Sequence, residues 1–143
     1  ILLFCKGKQE ELDHKWYNAG MKKISGACGC GAVSFTAEGD ITGVVSCHCK
    51  LCQRLHGNYN PMVVVEKSDF ILRTGDSLEW FDSSSEARRG FCRLCGSALF
   101  KEQKSGTKIL ISVGSLDDTN NWENIKNVFT EEAGQYYLLP PEA

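Results

Sequence analysis

The sequence lacks the features that would assign it to a membrane, to an export route or to a nucleic-acid surface. Its 143 residues contain no apolar run near the roughly 20 residues that a membrane-spanning helix needs. The apolar residues 1–4 give way at once to Lys6 and Lys8, so the apolar stretch of a signal peptide is missing. A formal net charge of −2 gives no electrostatic reason to bind a polyanion. We therefore expect a soluble, cytoplasmic protein whose partners are neither nucleic acid nor membrane.

The sequence also lacks internal repeats and low-complexity runs, and its length is that of one ordinary domain. Residues 1–20 are polar with scattered apolar positions, whereas Met21 begins a stretch typical of a domain start. We expect an N-terminal extension or tag-like arm over residues 1–20 and a single domain over residues 21–143. Cys5 and His14, which lie in the extension, are interpreted as surface groups without function.

What the sequence has in abundance is clustered cysteine. Seven of its eight cysteines fall into three short groups, which are Cys28 and Cys30, then Cys47, Cys49 and Cys52, then Cys92 and Cys95. In a reducing compartment, clustered thiols hold metal more often than they pair as disulfides. Cysteines only two residues apart are also too close for ordinary disulfide loops. The three groups therefore predict metal binding.

Two of the groups can form one closed metal site. Cysteine pairs with adjacent glycines can wrap the backbone around an ion, and two such pairs complete a tetrahedron of sulfur ligands. We therefore predict a structural zinc site formed by Cys28, Cys30, Cys92 and Cys95. Iron–sulfur clusters also use clustered cysteines, but the closed four-cysteine set without a redox motif favours zinc.

The remaining group, Cys47, Cys49 and Cys52, leaves one position of a zinc ion that cysteine does not fill. An open position is where zinc performs chemistry. The alternative is that His48 supplies the fourth ligand and closes the site. In extended backbone, however, the His48 side chain points away from the side that Cys47 and Cys49 share. We therefore expect an open site.

The sequence between the cysteine groups is typical of β-strands. The alternation of Val33, Phe35 and Ala37 with polar residues predicts a half-buried strand, and the β-branched content of residues 62–66 predicts a buried one. Further predictions are strands over residues 41–45, 108–114 and 125–129, a hairpin formed by residues 70–73 and 78–81, and a helical turn over residues 53–57. The expected fold is mainly β.

Three segments resemble the glutathione-dependent formaldehyde-activating enzyme family, also called the centromere-protein-V-like domain. They are ISGACGCGAVSF, SCHCKLCQRLHG, and the stretch from Trp80 to Phe100 that ends in RGFCRLCGSALF. The order and spacing of all seven clustered cysteines match the family pattern. The resemblance implies an Mss4-like β-tent of antiparallel sheets stapled by the four-cysteine zinc site, with two Zn²⁺ per chain.

The resemblance also implies an activity, that of a carbon–sulfur lyase joining glutathione and formaldehyde, or a similar thiol and small aldehyde. The zinc on Cys47, Cys49 and Cys52 would be the reactive one. Arg54, Arg88 and Arg89 are candidates for holding the substrate carboxylates, although a solvated surface charge is the simpler role for Arg88. His48 and His56 are candidates for proton transfer, although a structural hydrogen bond is the simpler role for either. The alternative function is a non-enzymatic zinc module that binds a protein partner.

The sequence departs from the family pattern near its C-terminus. Many members carry Leu-Asp-Asp-Pro and later a His-Ile-Phe-like stretch, whereas this chain has Leu-Asp-Asp-Thr at residues 116–119 and Asn-Val-Phe at residues 127–129. Any role of that histidine in a substrate pocket is therefore lost here.

Overall fold

The computed structural model describes residues 20–143, so Cys5, His14 and all but the last residue of the expected extension lie outside the described residues. The first described strand, β1, spans Gly20–Ala27. The sequence analysis does not predict this strand, because its only buried side chain of any size is Ile24. No helix between residues 20 and 143 is long and apolar enough to cross a membrane.

Two sheets form the described part of the chain. The three-stranded sheet is antiparallel, with the order β1, β2 (Ser34–Ile41), β5 (Phe70–Thr74). The seven-stranded sheet has the order β10 (Asn124–Val128), β3 (Val44–Cys47), β4 (Asn60–Glu66), β9 (Lys108–Ser112), β8 (Ala98–Gln103), β7 (Ala87–Cys92), β6 (Leu78–Asp82). One helix, α1 (Lys50–His56), connects β3 to β4. The mainly β prediction is confirmed, and the strand pairings are antiparallel except for that of β3 with β10.

The predicted hairpin of residues 70–73 and 78–81 is wrong. Both strands exist, but β5 pairs with β2 in one sheet, whereas β6 pairs with β7 in the other. The reason is non-local, since residues 70–74 find their backbone partners in residues 34–37, where the Phe70 ring also packs 5.8 Å from that of Phe35. The rings of Phe70 and Trp80 both pack on Phe100 of the seven-stranded sheet, at 5.2 and 6.2 Å, but each from its own sheet. The turn between the strands thus carries the chain from one sheet to the other.

The seven-stranded sheet separates two hydrophobic regions because successive residues of a strand point to opposite faces. On its inner face, which meets the three-stranded sheet, Val63, Ile109 and Ile111 belong to the main core together with Phe35. On its outer face, the side chains that pack with the middle cysteine group are Met62, Val64 and Leu110. The middle cysteine group therefore lies on the side of the sheet away from the main core.

Gly26 in β1 is closely packed between Phe35 of the neighbouring strand β2 and the segment that follows β9. A Cβ atom at this position would collide with the Phe35 ring and with the carbonyl oxygen of Ser115. We expect Gly26→Ala to lower the free energy of unfolding by about 1–3 kcal/mol, the usual cost of overpacking a core. Gly20→Ala in the same strand is the matched control, because nothing lies within 4 Å of its Cβ position. Urea unfolding of both variants checks this, and equal stabilities would contradict it.

Candidate functional site

The four-cysteine group joins the two sheets. Cys28 and Cys30 follow β1, whereas Cys92 ends β7 and Cys95 lies in the next turn. Their four sulfurs lie within 4.8 Å of one another. The Sγ atom of Cys30 is 3.6 Å from that of Cys28 and 3.8 Å from that of Cys92. The structure thus brings together four residues that are up to 67 positions apart in sequence, as a shared metal site requires.

Electrostatics within this group favour a bound cation. Hydrogen bonds from the Ser97 side chain and backbone lower the pKa of Cys95 to about 5. A backbone hydrogen bond from Ala32 favours the Cys30 thiolate, but the sulfur of Cys28, burial and the other sulfurs outweigh it and raise the pKa of Cys30 to about 11. Thiolates this close repel one another, so the four can ionise together only when a metal ion shares their charge. Four soft sulfur donors at tetrahedral separations suit Zn²⁺.

The three-cysteine group lies where β3 turns into α1. Cys47 ends the strand, Cys49 is the N-cap of the helix, and Cys52 lies in its first turn. The Cys49 sulfur accepts a hydrogen bond from the Cys52 backbone N–H at 3.4 Å. All three sulfurs lie within 4.8 Å of one another, and the residues are only 1%, 3% and 0% exposed. Three convergent thiols fit a soft divalent cation such as Zn²⁺, held from one side.

His48 turns away from these sulfurs. Its Nδ1 atom is 2.9 Å from the Tyr137 hydroxyl, and its Nε2 atom is 2.9 Å from Oδ1 of Asn127. The ring also packs 4.9 Å from that of Tyr59. Because both ring nitrogens are engaged in this way, His48 anchors the cysteine loop to the C-terminal part of the chain. Asn127, which stands in the stretch where the family pattern has histidine, is one of its two anchors.

The C-terminal segment, residues 130–143, packs around the same loop. Gln53 of α1 donates from its amide to the carbonyl oxygens of His48 and Glu132, at 2.9 and 2.8 Å. The Glu132 carboxylate in turn accepts from the backbone N–H of Lys50 at 2.9 Å. The Tyr136 hydroxyl donates to the Gly57 carbonyl at 2.7 Å. No role of this segment was predicted from the sequence. Its aromatic residues were the only sequence signal that it packs against another part of the chain.

The three candidate arginines lie in different environments in the structure. Arg54 is exposed on α1. Arg88 binds Glu102 and lies over the ring of Trp80, with its guanidinium carbon 4.1 Å from the ring centroid. Arg89 is only 5% exposed, and its Nη1 and Nη2 atoms lie 4.0 and 3.9 Å from the Cys52 sulfur. Of the three, Arg89 is therefore the one that the structure brings to the cysteine group.

A cavity of about 280 Å³ lies between the end of α1 and the outer face of the sheet. Its wall includes His56, Asn60, Phe81, Arg89 and Ser112. A larger cleft of about 740 Å³ shares His56, Asn60 and Ser112 with it and extends to the four-cysteine group. Together they can accept a ligand of peptide size. Arg89 links this space to the three-cysteine group, because it lines the cavity and contacts Cys52.

His56 is uncharged at neutral pH. Its burial, together with the nearby positive charges of Arg89 and Lys101, lowers the pKa of His56 to about 4. A histidine with such a pKa is a poor proton carrier at pH 7, since almost none of it is protonated there. The neutral ring can still donate or accept a hydrogen bond inside the cavity.

Two comparisons with known proteins bear on this arrangement. The family model described as glutathione-dependent formaldehyde-activating enzyme matches residues 23–132. Among solved structures, a Rhodobacter sphaeroides protein is similar, with a TM-score of 0.57 and 24% identity over 68% of this chain and 91% of that chain. At this identity the structural likeness speaks to the fold alone. The mainly β architecture and the cysteine groups agree with the Mss4-like fold that the sequence resemblance implies.

Substituting one cysteine in each group should separate their roles. Cys95→Ser removes a candidate metal ligand from the group that ties the two sheets together, so we expect a strongly lowered melting temperature. Cys49→Ser removes a candidate ligand from a local loop that the C-terminal segment also holds, so the fold should persist with about one metal ion fewer per chain. Melting curves and elemental analysis, measured on both variants, check this.

If burial alone decided stability, Cys49→Ser would lower the melting temperature more than Cys95→Ser, because Cys95 is exposed whereas Cys49 is only 3% exposed. The test therefore distinguishes metal cross-linking from simple packing. If Cys49→Ser unfolds the protein as badly as Cys95→Ser does, the division into a structural and a local site is wrong.

The lowered pKa of His56 predicts a pH dependence of stability. Its folded-state pKa of about 4 lies below the unfolded value of about 6.5, so the unfolded chain binds a proton that the folded protein rejects. Stability is therefore fully present above about pH 6.5 and falls as the pH drops toward 4. We expect His56→Gln to lose less stability than wild type between pH 7 and pH 5, as measured by urea unfolding. Acid release of metal lowers the stability of both proteins alike, so it does not produce a difference between them. Parallel curves of stability against pH would therefore contradict the assignment of this pH dependence to His56.

Proposed function

The chain belongs to the glutathione-dependent formaldehyde-activating enzyme family, and we propose that it is a zinc-dependent carbon–sulfur lyase. Its substrates would be a thiol such as glutathione and a small aldehyde such as formaldehyde, and its product their S-hydroxymethyl adduct. Two Zn²⁺ per chain are part of the proposal, one held by the four-cysteine group and one by the three-cysteine group. We also propose a cytoplasmic location, because the chemistry needs reduced thiols.

The observation that carries the proposal is the convergence of the sulfurs of Cys47, Cys49 and Cys52 while His48 directs both ring nitrogens elsewhere. Three protein ligands leave a fourth position for a reactant. When bound there, zinc would supply a Lewis acid that favours the thiolate form of a substrate or polarises an aldehyde oxygen.

The reaction itself needs little beyond positioning. In the forward direction a sulfur–carbon bond forms, the carbonyl π electrons move to oxygen, and the thiol proton ends on that oxygen. The reverse reaction breaks the same sulfur–carbon bond and returns the proton to sulfur. No redox partner is required. The chain's task is therefore to hold both reactants in contact and to stabilise charge on sulfur and oxygen.

The cavity beside α1 supplies groups for this task. Neutral His56 can hold the aldehyde oxygen through its ring N–H, and Asn60 is fixed by accepting a hydrogen bond from Ser112 at 3.1 Å. Because Arg89 contacts Cys52, its role in the proposed reaction is to stabilise negative charge on sulfur. Arg54 precedes the cavity-lining Leu55 in α1 and remains a candidate for a substrate carboxylate at the rim.

The burial of the three-cysteine group favours a second candidate function. All three of its cysteines are at most 3% exposed, a burial that suits a metal with a purely structural role. In that case the protein would be a zinc module that binds a protein partner. The two candidate functions predict different results. In the lyase an added thiol reaches the metal and the adduct forms faster, whereas in the structural module neither happens.

The deciding experiment measures adduct formation on metal-replete protein. Isotope-labelled formaldehyde and glutathione interconvert with S-hydroxymethylglutathione, and exchange NMR gives the rate. We expect wild type to accelerate the exchange and Cys52→Ser to lose at least about a hundredfold of that acceleration, as for an essential metal ligand. Cys5→Ser, which changes a cysteine outside the three groups, is the control and should match wild type. Metal-replete protein that accelerates none of several thiol and aldehyde pairs would favour the structural module.

A further inference from the structure

Asn60 is almost fully buried, yet one end of its side-chain amide is left for a ligand. The residue is only 2% exposed, and its Oδ1 atom accepts a hydrogen bond from the Ser112 hydroxyl at 3.1 Å. Within residues 20–143, no hydrogen bond engages its Nδ2 atom. That atom is not sealed inside protein either, because Asn60 lines both the cavity and the larger cleft. A buried donor without a partner is costly, so a ligand that supplies an acceptor here is favoured.

Strand register places this amide beside the three-cysteine group. Asn60 begins β4 and is the direct antiparallel partner of Cys47, which ends β3. The side chains of directly opposed residues project from the same face of a sheet, with Cβ atoms about 5 Å apart. A group bound at Asn60 is therefore held next to the three-cysteine group.

His56 of α1 adds a second polar group at the same place. It lines the cavity and the larger cleft, as Asn60 does. In the part of the chain that the structure describes, no hydrogen bond engages either of its ring nitrogens. A neutral imidazole carries one N–H donor, and a carbonyl oxygen can accept two hydrogen bonds. The junction of the two spaces thus suits a carbonyl group.

The cavity of about 280 Å³ is much larger than formaldehyde and has a largely apolar wall. Side chains of that wall include Leu55, Phe81, Phe91, Ala98 and Leu99. At about 30 Å³ for each water-sized group, formaldehyde with two heavy atoms occupies only about 60 Å³. On the same scale phenylacetaldehyde, with nine heavy atoms, occupies about 270 Å³. The cavity therefore fits an aldehyde that carries an apolar substituent.

We propose that the aldehyde substrate of this site carries an apolar substituent of about the size of a benzyl group, and that Asn60 holds its carbonyl oxygen. The substituent fills the cavity, and the larger cleft remains for the thiol. A sulfur–carbon bond forms, the carbonyl π electrons move to oxygen, and the thiol proton ends on that oxygen, so the product is a hemithioacetal. This inference rests on the proposed function and specifies its aldehyde.

A comparison of two aldehydes on wild-type protein tests the inference. Exchange NMR on metal-replete protein gives the acceleration of adduct formation with glutathione, relative to the uncatalysed exchange of the same aldehyde. Dividing by the uncatalysed rate removes the difference in intrinsic reactivity. We expect the acceleration for phenylacetaldehyde to exceed that for formaldehyde at least about tenfold, the effect of burying an apolar group of this size.

The two ways of failing are distinct. If formaldehyde is accelerated as strongly as phenylacetaldehyde, the inference is overturned while the proposed function stands. If neither aldehyde is accelerated, the proposed function fails and the inference fails with it.

Binding of an unreactive carbonyl compound gives a readout that does not depend on the reaction. Phenylacetamide should bind wild type at least about tenfold more tightly than acetamide in an NMR titration, because its ring fills the cavity. Asn60→Asp keeps an oxygen that accepts from Ser112 but removes the amide donor. It should weaken phenylacetamide binding at least about threefold, the loss of one hydrogen bond. Equal affinity of wild type for the two amides would overturn the inference.

Filling the cavity should change the preference between aldehydes. Ala98→Leu adds bulk to the cavity wall and should lower the ratio of the phenylacetaldehyde to the formaldehyde acceleration at least about tenfold. Ser105→Leu is the matched control, since Ser105 is exposed between β8 and β9 and does not line the cavity. Its ratio should equal that of wild type. A folded Ala98→Leu protein with an unchanged ratio would contradict the inference, and should this variant fail to fold, the wild-type comparison decides.

Discussion

Mutual repulsion of closely spaced sulfurs is the constraint on which this structure depends. Seven cysteines form two groups in which every sulfur lies within 4.8 Å of its companions. Sulfurs at such distances can all be thiolates only where positive charge is shared among them. In the four-cysteine group a bound cation is the natural source of that charge. In the three-cysteine group the chain adds positive charge of its own, through the guanidinium of Arg89 beside the Cys52 sulfur.

The two groups also differ in what they connect. The four-cysteine group joins β1 to β7 and so links the two sheets across their shared core. The three-cysteine group lies on the far face of the seven-stranded sheet, bordered by α1 and by the C-terminal segment. The two cysteine groups are thus separated by a layer of β-sheet. This separation supports the proposal that one site holds the fold while the other meets substrate.

Cysteine spacing and strand periodicity predicted much of this arrangement. The division of the cysteines into four and three, the mainly β class and several strand positions follow from local sequence, because ligand spacing and side-chain alternation are local properties. The partner of β5 was missed because it depends on the contact between Phe70 and Phe35, which are distant in sequence. The role of Tyr137 was missed for the same reason, since it depends on a contact with His48, which is 89 residues away in sequence.

The pairing of β3 with β10 has a consequence for the order of assembly. His48, between two of the cysteines, is anchored to Tyr137, which a ribosome adds 89 residues later. The parallel pairing of β3 with β10 spans a similar stretch of chain, and such non-local contacts form late in folding. The four-cysteine group can close once Cys95 has emerged, whereas the loop around Cys49 acquires its final shape only after Tyr137 has emerged as well. A metal ion held by the three-cysteine group would therefore be loaded later than one held by the four-cysteine group.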